Sequence, residues 1–208
     1  MGKKLDYKTE QEEFWSGEFG NSYSERNASE GDRIAKQIMF SQMIRNLPRI
    51  QSVVELGCNI GLNLKALKTI NSNFEIAGYE INKNAVIKAK EMKVGEIFEE
   101  SVITKIVSPK KYDLSFTSGV LIHINPDELG MVYDNLFNLS KKYILISEYY
   151  NPTPVIVEYR GHADKLFKRD FAGEMIDRFD LKLIDYGFFY HRDNYFSFGD
   201  SNWFLLEK

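Results

Sequence analysis

The stretch Val53-Val54-Glu55-Leu56-Gly57-Cys58-Asn59-Ile60-Gly61 constrains the fold more than any other part of the chain. Two β-branched residues lead into an acid, two glycines follow at a spacing of four, and Leu62 to Ile70 then reads as a helix. A strand, a tight turn and a helix start in that order form a cradle. Glycine lets the backbone turn sharply and lets a ligand approach where a Cβ would stand, and the helix start presents unpaired N–H groups beside it. When such a cradle holds a nucleoside, the next strand ends in an acid about 20 residues on, placed for the ribose hydroxyls. Glu80, after Phe74-Glu75-Ile76-Ala77-Gly78-Tyr79, stands there.

The remaining periodicities repeat strand and helix. Asp32 to Leu47 carries apolar residues at 34, 35, 38, 39, 43, 44 and 47, a helical spacing, and Pro48 stops it. Strands are expected at Ser52 to Leu56, Glu75 to Tyr79, Glu96 to Phe98, Tyr112 to Phe116 and Lys142 to Ser147. Asn82 caps a helix to Met92, and Pro126 opens one to Leu139. Such alternation makes a parallel sheet covered on both faces. Tyr149 to Lys168 reads as irregular, followed by a helix from Asp170 to Phe179. Leu181 to Tyr190 and Asn202 to Leu206 then leave no room for a helix between them, so they pair as an antiparallel hairpin.

Residues 1–31 are polar but carry Phe14, Trp15, Phe19 and Tyr23, which marks an arm that folds onto the single domain of residues 32–208, either as a docking segment or as a lid. A net charge of −3 points away from a nucleic-acid partner. The single cysteine, Cys58, rules out an internal disulfide and a multi-cysteine zinc site, and no metal is expected. No apolar run approaches the length of about 18 residues that a membrane span needs, and the first residues lack the apolar core of a leader peptide, so a cytoplasmic protein is expected. The oligomeric state is left open.

Five parallel strands closed by a helix and an antiparallel hairpin resemble the class I S-adenosylmethionine-dependent methyltransferases, an α/β, Rossmann-like fold with a seven-stranded mostly parallel sheet and helices on both faces. Glu55 to Gly61 is similar to their acid-x-Gly-x-x-x-Gly signature, Tyr79-Glu80-Ile81-Asn82 to their strand-two acid, and Tyr112-Asp113-Leu114 with Val120-Leu121-Ile122-His123-Ile124 to their strand-four segment. The later blocks Tyr149-Tyr150-Asn151-Pro152-Thr153-Pro154, Tyr159-Arg160-Gly161-His162 and Lys168-Arg169-Asp170-Phe171-Ala172-Gly173-Glu174, with the opening Glu12-Glu13-Phe14-Trp15-Ser16-Gly17-Glu18-Phe19-Gly20, resemble the pseudaminic acid biosynthesis-associated methylases.

That resemblance implies S-adenosylmethionine as cofactor and a small polar acceptor, a nonulosonic sugar or its precursor. It implies that Gly57, Asn59 and Gly61 line the methionine and ribose, Glu80 with Ile81 the ribose, Ser101 with Glu99 or Glu100 the adenine edge, and Thr117 and Ser118 the methionine portion. Glu55 either holds the ligand's amino group or braces the loop. His123, beside the cradle, is either a base near neutral pH or a structural hydrogen-bonding residue. Tyr149, Arg160 and His162 belong to a polar-aromatic segment after strand five that forms either the acceptor pocket, suited to a carboxylate or phosphate, or a solvated loop. Cys58 has no identifiable partner as a nucleophile. The competing readings are a nicotinamide-dependent oxidoreductase and a non-catalytic nucleoside-binding protein.

Overall fold

Strand β1 (Ser52–Leu56) is buried along its whole length and lies between β2 (Glu75–Glu80) and β4 (Tyr112–Ser118), parallel to both. The computed structural model describes residues 7–26, 30–194 and 199–208. The Met1 to Asp6 part of the arm lies outside the described residues, as do residues 27–29 and the 195–198 part of the terminal hairpin. Outward from β2 comes β3 (Glu96–Glu99), and outward from β4 comes β5 (Ser140–Glu148), both parallel. The last strand, β9 (Ser201–Glu207), runs antiparallel to β5 and pairs on its other side with β8 (Lys182–Phe189). The order β3-β2-β1-β4-β5-β9-β8 gives seven strands with an antiparallel closing pair, as the sequence leads one to expect.

Period-two alternation divides the apolar side chains between two cores. Val53, Ile76, Leu114, Phe116 and Leu145 face α3 (Glu30–Ile44), α4 (Leu62–Ile70) and α5 (Lys83–Glu91). Val54, Ala77, Ile144, Ile146 and Leu206 face α6 (Leu129–Leu139) and α7 (Phe171–Phe179). In α3 the buried stripe is Met39, Phe40 and Met43, whereas Ile34 is 49% exposed, so the inward face is rotated from the one the apolar spacing marks. That helix stops at Ile44, before Pro48.

Two parts of the chain are more regular than the sequence implies. The arm folds into two helices, α1 (Glu10–Ser16) and α2 (Glu18–Arg26), with Thr9 capping the first. The Tyr149 to Lys168 stretch, expected to be irregular, contains an antiparallel pair, β6 (Val155–Tyr159) and β7 (His162–Lys168). Arg160 (φ 52°) and Gly161 (φ 81°) join them, and positive φ at both central residues is the two-residue turn that matches strand twist. Among the described residues, no helix is long and apolar enough to cross a membrane.

Candidate cofactor and acceptor site

At the carboxyl ends of β1, β2 and β4 a cavity of about 340 Å³ opens beneath α1 and α2. Parallel sheets place ligands at this edge, where loops diverge. The turn after β1 forms its floor. Gly57 has φ 78°, and a Cβ there would sit 2.6 Å from Val120 Cγ2, so the residue must be glycine for both conformation and space. Asn59 also has positive φ, 47°, which asparagine tolerates better than most. Its N–H donates to Glu80 Oε2 at 2.8 Å, and its Oδ1 accepts from Ser24 Oγ of α2 at 2.6 Å.

Glu80 closes the floor from β2. Its Oε1 accepts the N–H of Asn82 at 2.8 Å, and the side chain is 9% exposed. Burial pushes this carboxyl above the ordinary range, against the pull of the main-chain N–H groups around it. Its two oxygens keep acceptor capacity beyond the N–H groups of Asn59, Ile81 and Asn82, and the residue lines the cavity. Asn82 caps α5 through Oδ1, which accepts from Ala85 N at 3.0 Å. Its amide donates to Trp15 O at 3.1 Å and to Asn21 Oδ1 at 3.0 Å, which ties the arm to the floor.

Asp32 and Lys36 of α3 line the cavity one helical turn apart. Lys36 Nζ donates to Asn63 Oδ1 at 2.8 Å, and Asn63 Nδ2 donates to Glu55 Oε1 at 2.5 Å. Glu55 is fully buried behind this chain, and among the described residues its Oε2 has no hydrogen-bond partner. Burial holds its carboxyl far above the usual range and lowers the Lys36 ammonium. Burial also pushes the Cys58 thiol well up, so it stays protonated and is no nucleophile.

Another part of the cavity wall is built around His123. Its Nδ1 is 2.7 Å from Lys165 O of β7. A carbonyl only accepts, so Nδ1 carries the proton and Nε2 is left as an acceptor. Burial lowers its pKa from 6.5 to about 4, so the ring is neutral. It packs against Trp15 (centroids 4.5 Å apart) and Tyr159 (4.9 Å), which also contact each other. The turn that carries it is held by Glu148, whose Oε1 accepts the N–H of Val120 at 3.0 Å and of Leu121 at 3.1 Å. Tyr23 lines the same cavity; burial raises its phenol to about 12, while Arg160 and Arg26 pull it down.

Of the residues singled out from sequence, Gly57, Asn59, Glu80, Ile81, Ser101, Ser118 and His123 come together on this cavity. The others lie off it. Glu55 stands behind Asn63, Thr117 is fully buried within β4, and Glu99 is exposed at the end of β3. A Cβ on Gly61 would face Ala89 of α5, 3.4 Å away. Tyr149 and Arg160 bear electrostatically on Tyr23, while His162 is exposed and packs on Phe14 and Phe19 of the arm. Glu12, Trp15, Tyr23, Ser24, Asp32, Lys36, Asn63 and Asn82 line the cavity without having been assigned to it from sequence. The aromatic run in the arm was the available signal. Among the described residues, no three His, Cys, Asp or Glu side chains gather to hold a metal.

No family model matches the sequence, and no curated protein does. Solved structures match it in fold. Magnesium protoporphyrin IX methyltransferase from Synechocystis with bound SAM superposes with a TM-score of 0.68 at 14% identity, covering 100% of each chain. The 1,6-didemethyltoxoflavin-N1-methyltransferase of Burkholderia thailandensis gives 0.69 at 12% identity, covering 91% of this chain and 85% of that one. A S-adenosylmethionine-dependent methyltransferase from Clostridium acetobutylicum gives 0.64 at 10%, covering 91% and 97%. The fold is the Rossmann-like class I methyltransferase fold.

Proposed function

We propose that this protein transfers a methyl group from S-adenosylmethionine to a small, polar, anionic acceptor. One observation carries the reading: Glu80, an acceptor-only carboxylate, is fixed by the Asn59 and Asn82 N–H groups at the end of β2 and lines the cavity. That arrangement suits a ribose diol. Asp32 and Lys36 on the same wall suit the ammonium and carboxylate of an amino acid, and a cavity of about 340 Å³ falls within the range of small-molecule sites. The solved neighbours that hold SAM or S-adenosylhomocysteine on this fold support the same reading. The antiparallel β8–β9 pair stands where a dinucleotide-binding sheet continues in parallel, which disfavours the oxidoreductase reading.

Bound at this site, S-adenosylmethionine supplies an electrophilic methyl carbon on a sulfonium. The protein's own residues orient the reactants and exclude water. Glu80 and the Gly57–Asn59 turn hold the nucleoside, and Asp32 and Lys36 fix its amino-acid end. Burial leaves His123 too weak a base for use near neutral pH, so its Nε2 serves to accept a hydrogen bond from the acceptor and orient it. Arg160 and Arg26, near Tyr23, favour an acceptor that carries a carboxylate or phosphate. A nonulosonic sugar or its precursor has such a carboxylate or phosphate, and the second-half sequence blocks favour it. Calorimetric titration with S-adenosylmethionine and S-adenosylhomocysteine tests the cofactor; if neither binds, the proposal is wrong.

A further inference from the structure

On the strand side, the acids that the sequence offers for the adenine edge are Glu99 and Glu100. Glu99 is exposed on the outermost strand, and neither lines the cavity. The cavity end walled by Ser101, Val102, Ile103 and Ile81 nevertheless has a carboxylate, Glu12 of α1. This side chain comes from the arm and is 9% exposed. Its Oε1 accepts the Ser101 hydroxyl, and its Oε2 accepts the Lys8 N–H at 2.7 Å. The Lys8 ammonium is engaged elsewhere, on Glu128 at 2.5 Å. Glu12 therefore sits buried on two uncharged donors, with acceptor capacity left over. Buried carboxylates are costly until such capacity is filled.

We propose that Glu12 reads the exocyclic amino group of the adenine base, so that α1 is the purine-selecting element of the site. The inference rests on the nucleoside reading given above. The chemistry is directional. An acceptor-only group matches a 6-amino donor and opposes a 6-oxo acceptor, and the apolar side chains of Val102, Ile103 and Ile81 flank the place for the ring. Strand β3 supplies no such carboxylate on the cavity, whereas the arm supplies Glu12.

The test is calorimetric titration of the wild-type protein, Glu12→Gln and Glu13→Gln with S-adenosylhomocysteine and with its 6-oxo counterpart, S-inosylhomocysteine. Wild type should prefer the adenine compound by about 30-fold or more, the order expected for one matched bond replaced by an opposed pair of acceptors. Glu12→Gln, whose amide can donate to a 6-oxo group, should shrink that preference about tenfold or more, while Glu13→Gln, an exposed neighbour on α1, leaves it unchanged. An unchanged preference in Glu12→Gln overturns the assignment. Wild type that binds both compounds equally overturns it as well, whether or not the variant folds. Wild type that binds neither overturns the nucleoside reading itself, and the assignment with it.

Discussion

The main-chain N–H of Asn59 points at Glu80 Oε2, 2.8 Å away, across the gap between the ends of two neighbouring strands. The left-handed backbone at Asn59 turns that N–H inward. With Asn82 N–H on the other oxygen, both oxygens of Glu80 face fixed donors. Glu80→Gln forces an amide NH₂ against one of them. We expect a loss of about 1–3 kcal/mol in stability and of about 100-fold in S-adenosylhomocysteine affinity, read by urea denaturation and calorimetry. An affinity within threefold of wild type would remove Glu80 from the ligand site.

Gly57 and Gly119 separate backbone strain from steric overlap. Both have positive φ, but a Cβ on Gly119 meets nothing within 4 Å, whereas one on Gly57 meets Val120 at 2.6 Å. Gly119→Ala should cost about 1 kcal/mol from conformation alone, and Gly57→Ala about 1–3 kcal/mol more. Adding Val120→Ala to Gly57→Ala should recover part of the difference. Equal denaturation midpoints for the two single variants would contradict the overlap.

His123 titrates near 4 in the folded protein and near 6.5 when free. A depressed histidine gives stability that is full above pH 6.5 and is lost as pH falls toward 4, because the unfolded chain takes the proton first. Up to roughly 3 kcal/mol is involved at about 1.4 kcal/mol per unit. Relative to wild type, His123→Gln should therefore gain stability as pH falls from 7 to 4.5. A pH-independent difference would mean that the ring is not buried neutral.

Glu148 has the opposite sign. Burial raises its carboxyl from 4.5 to about 7, so its contribution is present below pH 4.5 and is lost as pH rises through 7, again by up to roughly 3 kcal/mol. Its Oε1 takes the N–H groups of Val120 and Leu121, a role that a glutamine oxygen can fill, and its Oε2 receives the Ile122 N–H only at a long 3.5 Å. Glu148→Gln should match wild type near pH 4.5 and exceed it at pH 8, as measured by chemical denaturation at both. Identical pH profiles for the two proteins would exclude a buried, raised Glu148.

The sheet was legible because its signals are local. Val53-Val54 and Tyr143-Ile144-Leu145-Ile146 are apolar runs of strand length, and Gly57 and Glu80 have the cradle spacing. What escaped was set by distant contacts. Val155 to Tyr159 is mostly exposed, so no apolar alternation marks it as a strand. The arm helices are polar and are held by contacts to the floor that lie far off in sequence. Glu12 could not be paired with the cavity from sequence, because its partner Ser101 lies 89 positions away. Thr117 and Ser118 were indistinguishable in the sequence, and the pleat separates them, one buried in the sheet and one lining the cavity.

Asn82 joins three things at once: its N–H steadies Glu80, its oxygen caps α5, and its amide holds the α1–α2 elbow. Under the proposed function, a ligand on Glu80 and the packed arm meet in this one side chain. Linkage of that kind is reciprocal, so substitutions in the arm that touch no ligand are expected to change how tightly it is held.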